Sequence, residues 1–305
     1  MRAVVFGYHD VGVRCLQVLL AQNVDVALVV THADNPDESI WFESLAELAA
    51  LHDIPVIKPV DPNTPEVIDA VAALHPDFIF SFYYRLMLKA ELLALPKHGA
   101  YNMHGSLLPK YRGRVPVNWA IIKGETETGA TLHRMTEKPD NGDIVDQSAI
   151  PILPNDTAAE VFKKVTCAAE ITLHRALPKL VSGDAAFHKQ DLGLGGYFGG
   201  RSAQDGKINW LESAQSIHNL VRAVAPPYPG AFCHIGGMKL SLFRTLVESR
   251  PPRSDRPFLY CENGRCYADC GGGGVLRLVS FEIDGETADA GMLTKKLGTA
   301  SISLI

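Results

Sequence analysis

Two hydrophobic periods alternate through the N-terminal part of this chain, and few architectures accommodate both. Apolar runs at residues 3–6, 26–30, 55–58, 78–84 and 100–104 have the short length and the β-branched or aromatic content of buried strands. Between them, residues 11–21 carry Val13, Leu16, Leu19 and Leu20 at helical spacing. Residues 42–51 place Phe42, Leu45, Leu48 and Ala49 on one side, and residues 65–74 form a third such segment. A strand that is apolar on both faces must be covered on both. The βαβα rhythm therefore predicts an α/β fold, a Rossmann-like and mostly parallel sheet flanked by helices. Ligands of such sheets bind at the carboxyl ends of strands, where His104 lies.

Further along, Pro116 opens a short helix over 116–122, and strands at 129–135 and 143–152 flank the loop 136–142. Asp156 is placed to cap a long helix that runs to about residue 181 and ends at Gly183. The glycine-rich run 193–200 reads as a linker, since no helix follows it. Short strands, turns and the glycines at 271–274 then predict a small C-terminal β-barrel, OB-like in size. The expected division is a catalytic domain at 1–192, a linker at 193–204 and a barrel at 205–305.

Composition narrows the functional classes. With 29 basic and 34 acidic residues the net charge is −5, so no global positive field invites nucleic acid. No apolar run reaches the roughly 18–20 residues of a membrane span, and the N-terminus lacks the pattern of a signal peptide. A cytoplasmic protein without membrane insertion is expected. Six cysteines in 305 residues do not suggest a disulfide scaffold. Cys261, Cys266 and Cys270 cluster, but Glu262-Asn263-Gly264 reads as a hairpin turn and the spacing is not that of a zinc ribbon, so no metal is expected. Gly7 and Gly12 follow the first strand without the third glycine of a dinucleotide fingerprint or the Gly-Lys-Ser/Thr of a P-loop.

The chemistry concentrates in residues 99–113, Gly-Ala-Tyr-Asn-Met-His-Gly-Ser-Leu-Leu-Pro-Lys-Tyr-Arg-Gly. On a strand, Asn102 and His104 share a face, and Gly105 lets the chain turn away. An amide able to donate to an oxyanion then stands beside an imidazole able to exchange a proton, as acyl transfer needs. A carboxylate partner for His104 could be Asp140 or Asp143, and spacing does not choose between them. Lys110, Arg112 and Arg114 could meet an anionic small molecule or form a solvated loop.

Asn102-x-His104 followed by Ser106-Leu107-Leu108-Pro109-Lys110-Tyr111-Arg112-Gly113 resembles the signature of folate-dependent formyltransferases. Trp119, Gly124-Glu125-Thr126, Thr128-Gly129, Asp140-x-Gly142, Asp205-Gly206-Lys207-Ile208-Asn209-Trp210 and Pro226-Pro227-Tyr228-Pro229-Gly230 extend the likeness over nearly the whole chain. The resemblance implies 10-formyltetrahydrofolate as formyl donor, His104 as acid/base, Asn102 as oxyanion donor, and Asp140 as the residue that holds His104 and raises its pKa. It also implies folate contacts at Leu86, Met87, Leu88, Arg114, Thr136, Glu137, Lys138, Pro139 and Asp140.

Within that family the acceptor differs. Methionyl-tRNA formyltransferases carry a basic loop after the second strand. Here that segment, residues 31–42, holds Asp34, Asp37 and Glu38 with no lysine or arginine, a charge that repels an RNA backbone. Tyr8-His9-Asp10, Thr31-His32, Asp34-Asn35-Pro36 and Phe80-Ser81-Phe82-Tyr83-Tyr84-Arg85 instead resemble the formyltransferase domain of the bifunctional enzyme acting on UDP-4-amino-4-deoxy-L-arabinose. A UDP-amino sugar partner, no nucleic acid and a place in lipid A modification are implied. That enzyme's decarboxylase domain would need several hundred further residues, so a stand-alone enzyme or an excised domain is expected. An idle folate- or nucleotide-binding module is the alternative from another class, against which Asn102, His104 and Asp140 argue.

Overall fold

The apolar runs of the N-terminal part lie side by side because each can be covered on two faces. The chain is described by a computed structural model over residues 1–304, apart from 37 and 39. Its contacts separate two units, residues 1–116, 127–151 and 162–199 in the first, and 117–126, 152–161 and 200–305 in the second.

In the first unit β1 (Arg2–Gly7), β2 (Asp25–Val30), β3 (Val56–Ile57), β4 (Phe78–Phe82) and β5 (Ala100–His104) are parallel. Between them run α1 (His9–Ala21), α2 (Leu45–Leu51), α3 (Pro65–Ala73) and the short α4 (Ala90–Leu93). After β6 (Arg112–Gly113) and α5 (Pro116–Ile122), the antiparallel β7 (Glu127–Arg134) and β8 (Ile144–Pro151) extend the sheet. The strand order β3-β2-β1-β4-β5-β7-β8 reverses between β1 and β4, which makes the crevice beyond their carboxyl ends a topological switch point.

Strand β4 shows why the sheet forms. Phe78, Phe80 and Phe82 alternate onto one face, stack at 5.6 Å from ring to ring, and are fully buried. Tyr101 of β5 packs against the first two at 6.2 and 6.1 Å. Burying each such ring contributes about 1.5–3 kcal/mol, so this strand is a main anchor of the sheet.

Two helix starts differ from expectation. Helix α2 begins at Leu45, because Ser44 accepts a hydrogen bond from the Glu47 amide, and Phe42 lies before it. Helix α6 (Ala158–Ser182) is capped by Thr157 rather than Asp156. Glu160 accepts from the Thr157 amide at 2.7 Å and Thr157 Oγ1 accepts from the Glu160 amide, a capping box, while Asp156 accepts from Leu153 N. The glycine-rich run contains β9 (Tyr197–Phe198), which pairs with β6.

The second unit packs α7 (Ala214–Ala223) on a curled, barrel-like antiparallel sheet. Its strands are β10 (Ala231–Ile235), β11 (Met238–Glu248), β12 (Phe258–Glu262), β13 (Arg265–Asp269), β14 (Val275–Ile283), β15 (Glu286–Thr287) and β16 (Ser301–Ser303), with α8 (Ala290–Leu297) before the last. Ile217 and Val221 of α7 join Leu240, Leu242, Leu276 and Leu278 in its core. Asn263 and Gly264, both at positive φ, form the two-residue turn between β12 and β13. The flanking Cys261 and Cys266 are directly opposite in that hairpin and form a disulfide. The cysteine cluster is thus a cross-strand pair plus a buried free Cys270.

Candidate active site

Strand pleating puts Asn102 and His104 on the same face of β5, and the pairing with β7 sets what they meet. Asn102 lies opposite His133 and His104 opposite Thr131. Asn102 Nδ2 is 3.1 Å from His133 Nε2, and His133 Nδ1 donates to the Arg134 carbonyl at 2.9 Å. His104 is buried. Its Nε2 donates to the Tyr111 carbonyl at 2.8 Å, and its Nδ1 is 3.5 Å from Asp140 Oδ1. Both nitrogens of His104 therefore face acceptors, so a proton on either has a partner.

Asp140 reaches this point from the loop between β7 and β8. Oδ1 is also 3.5 Å from His133 Nε2, and Oδ2 accepts from the Gly113 amide at 2.8 Å. Burial opposes its charge. The His104 imidazole, the Gly113 amide and, whenever it carries a second hydrogen, the His133 ring nevertheless hold the carboxyl well below the usual carboxylate range. Gly142 is required two residues on, because any Cβ there would run into the Arg134 carbonyl. Asp143 does not reach His104 in this way; its backbone carbonyl accepts from the Arg134 amide.

Two clasps fix the loop after β5. Thr131 Oγ1 donates to the Ser106 carbonyl at 2.6 Å and accepts from Leu108 N, while Gln147 Nε2 donates to Leu108 O and to Thr131 Oγ1. On the other side the segment after α6 acts as a strap. Gln190 Nε2 donates to the carbonyls of Asp140 and Gly142, and Arg112 donates to Asn141 Oδ1 and to the carbonyls of Leu192 and Gly195. Arg112 is thus a structural clasp rather than a solvated charge.

His133, Thr131, Gln147 and Gln190 were not legible as site residues. The one available signal was the polar pair Thr131 and His133, two residues apart on a strand whose neighbours Ala130 and Leu132 are fully buried. Among the folate-contact candidates, Leu88 is core, packed with Val4, Phe6 and Val30, whereas Leu86 and Met87 are 39% and 48% exposed. Arg114, Thr136, Glu137 and Lys138 are exposed, and Thr136 Oγ1 donates to the Lys138 carbonyl.

At the carboxyl end of β1, His9 stacks on Phe42 at 3.9 Å and takes the edges of Trp41 and Phe162. Tyr8 donates to Asp34 at 2.7 Å, and Arg85 forms a two-pronged 2.6 Å pair with Glu38. Two acids of the 31–42 segment thus have internal partners, while Asp37 lies outside the described residues.

Burial, helped by the Arg85 charge, pushes His9 down to about 3 from 6.5. Unfolded His9 takes a proton below pH 6.5 and folded His9 does not, so stability falls as pH drops from 6.5 toward 3. The expected slope is about 1.4 kcal/mol per pH unit, or about 2 kcal/mol at pH 5. Urea midpoints measured against pH should lose this component in His9→Asn; an unchanged slope would remove the assignment.

An amide, an imidazole and an ionised carboxylate converging at a strand end equip a doubly wound sheet for group transfer. Residues 1–177 match the family model for formyl transferase, and residues 201–294 match that for the formyl transferase C-terminal domain. The chain belongs to the formyl transferase family. Its fold is similar to an N-formyltransferase from Helicobacter canadensis, solved with folinic acid and dTDP-3-aminofucose (TM-score 0.72, 21% identity, 90% of this chain and 98% of that one). WlaRD, a sugar 3N-formyl transferase solved with dTDP and 5-N-formyl-THF, is equally similar (TM-score 0.72, 21% identity, 91% and 97%). HypX from Aquifex aeolicus, solved with tetrahydrofolic acid, matches over 98% of this chain and 47% of its own length (TM-score 0.63, 18% identity).

Proposed function

We propose that this protein transfers the formyl group of 10-formyltetrahydrofolate to the 4-amino group of UDP-4-amino-4-deoxy-L-arabinose, giving UDP-4-deoxy-4-formamido-L-arabinose. The observation that carries the reaction is the convergence of Asn102, His104 and Asp140, with 3.5 Å between His104 Nδ1 and the carboxylate. The folate supplies the activated formyl group. Asn102 Nδ2 donates to the oxygen of the reacting carbonyl as it gains negative charge, an effect worth about 3–4 kcal/mol at other oxyanion sites. His104 gives the Nε2 hydrogen, parked on the Tyr111 carbonyl in the absence of substrate, to the departing folate nitrogen and then takes one back at Nε2 from the attacking amine. Asp140 holds the ring from Nδ1. Exposed apolar side chains at Leu86 and Met87 suit a flat heteroaromatic ring. Leu88 supports them from the core, and Arg114 with the 136–140 loop supplies polar contacts.

The acceptor assignment rests on the acidic 31–42 segment and on the likeness of residues 8–12 and 80–85 to sugar formyltransferases; the similar structures solved with dTDP or a dTDP-sugar support a nucleotide-sugar. We assign catalysis to residues 1–192, with 193–204 connecting them to the barrel-like part at 205–305. The test is formyl transfer from 10-formyltetrahydrofolate with the UDP-sugar and methionyl-tRNA offered in parallel. Formylation of the sugar alone is expected. Formylation of the tRNA alone would overturn the acceptor, and folate binding without transfer to either would overturn it in favour of another amino sugar nucleotide or an idle binding module.

A further inference from the structure

We propose that His133 is a positioning residue for Asn102: accepting from the Asn102 amide through Nε2, it turns the NH2 edge of that side chain, rather than its carbonyl, toward the reacting oxygen. The inference rests on formyl transfer being the reaction, and goes beyond it to a residue that does not itself touch substrate.

The argument starts from the two nitrogens of His133, which face groups of opposite kind. Nδ1 is 2.9 Å from the Arg134 carbonyl, which can only accept, so Nδ1 carries the hydrogen. Nε2 is 3.1 Å from Asn102 Nδ2, which can only donate, so Nε2 presents its lone pair. The two contacts demand the same tautomer, and the ring is 2% exposed, so water does not compete for either nitrogen. The carboxylate of Asp140 is 3.5 Å from Nε2, farther than the amide and at the limit of a hydrogen bond.

An unconstrained Asn side chain presents its C=O and NH2 edges with little preference, because the two are nearly isosteric. A carbonyl turned toward a developing oxyanion repels it. With one N–H held by His133, the amide plane is fixed and the second N–H is left for the substrate. A hydrogen on Nε2 would face Asn102 Nδ2, donor against donor, and the amide would turn over. The direct pairing of Asn102 with His133 across β5 and β7 makes the contact a consequence of sheet register. The charged and titratable groups facing this pair are Asp140 and, beyond it, His104.

Two measurements test the assignment. Nitrogen-15 NMR of the unliganded protein, with the His133 ring identified by its loss in His133→Leu, should show the hydrogen on Nδ1 and none on Nε2; a hydrogen on Nε2 would overturn the proposal. In the transfer assay His133→Leu should lower kcat by about 10–100-fold while KM for the folate moves less than about threefold. Asn102→Ala should then cost clearly less in that background than in the native protein, and His133→Gln, which restores an acceptor, should recover part of the loss. Additive losses, or an effect confined to KM, would sink the idea. A native protein that transfers no formyl group would defeat the functional reading alone, since the NMR result stands on the free protein. Should His133→Leu fail to fold, His133→Gln serves for both identification and kinetics.

Discussion

Replacing His104 by alanine is expected to lower kcat for formyl transfer by about 10²–10⁴-fold, the range that a positioned acid/base group contributes. The ring sits at the end of β5 with both nitrogens against acceptors, the Tyr111 carbonyl at 2.8 Å and Asp140 at 3.5 Å. No other titratable side chain among the described residues is placed to do its work, because His133 is committed to Asn102 and the Arg134 carbonyl. Folate affinity should change little, since the contacts assigned to the folate lie at 86–88, 114 and 136–140. Removal of the imidazole also leaves the ionised Asp140 with one ring fewer beside it, so a fall in thermal stability should accompany the loss of rate. A His104→Ala enzyme with native turnover, measured at saturating concentrations of both substrates, would eliminate the proposed mechanism.

The second large effect concerns a residue with no side chain. Gly113→Ala is expected to destabilise the protein by about 2–4 kcal/mol, on the scale of backbone strain combined with a steric clash. Gly113 adopts φ +98°, and a Cβ there would collide with the Phe198 carbonyl on β9. Its amide also donates to Asp140 at 2.8 Å, so any shift of β6 loosens the carboxylate. Activity should therefore fall together with the urea midpoint. Gly199→Ala, where an added Cβ meets nothing within 4 Å, is the comparison and should stay within about 0.5 kcal/mol of the native protein. Equal midpoints for the two variants would mean that the β6–β9 contact does not hold the site.

The sequence was informative where a local rule decides. Alternating apolar periods mark which segments become strands, and the run at residues 100–104 has the same bounds as β5. A two-residue spacing on a strand places Asn102 and His104 on one face whatever surrounds them. Helix starts were less legible, because a cap is a choice among neighbouring oxygens. Ser44 and Thr157 won over more conspicuous alternatives through hydrogen bonds that depend on side-chain direction.

By itself, then, the chain determined the alternation of strands and helices in its first unit, the amide and imidazole at one strand end, and the glycine-bearing loop that carries a carboxylate. These follow from periodicity and from conformations open only to particular residues. Residue spacing left Asp140 and Asp143 open, the family resemblance pointed to Asp140, and the tertiary structure brings Asp140 to His104. Only the tertiary structure opposed His133 to Asn102 and brought Gln190 and Gly113 to the same loop. Those partners are from 27 to 50 residues apart along the chain. Sheet register and the path of the strap set their distances, and neither leaves a trace in the spacing of residues.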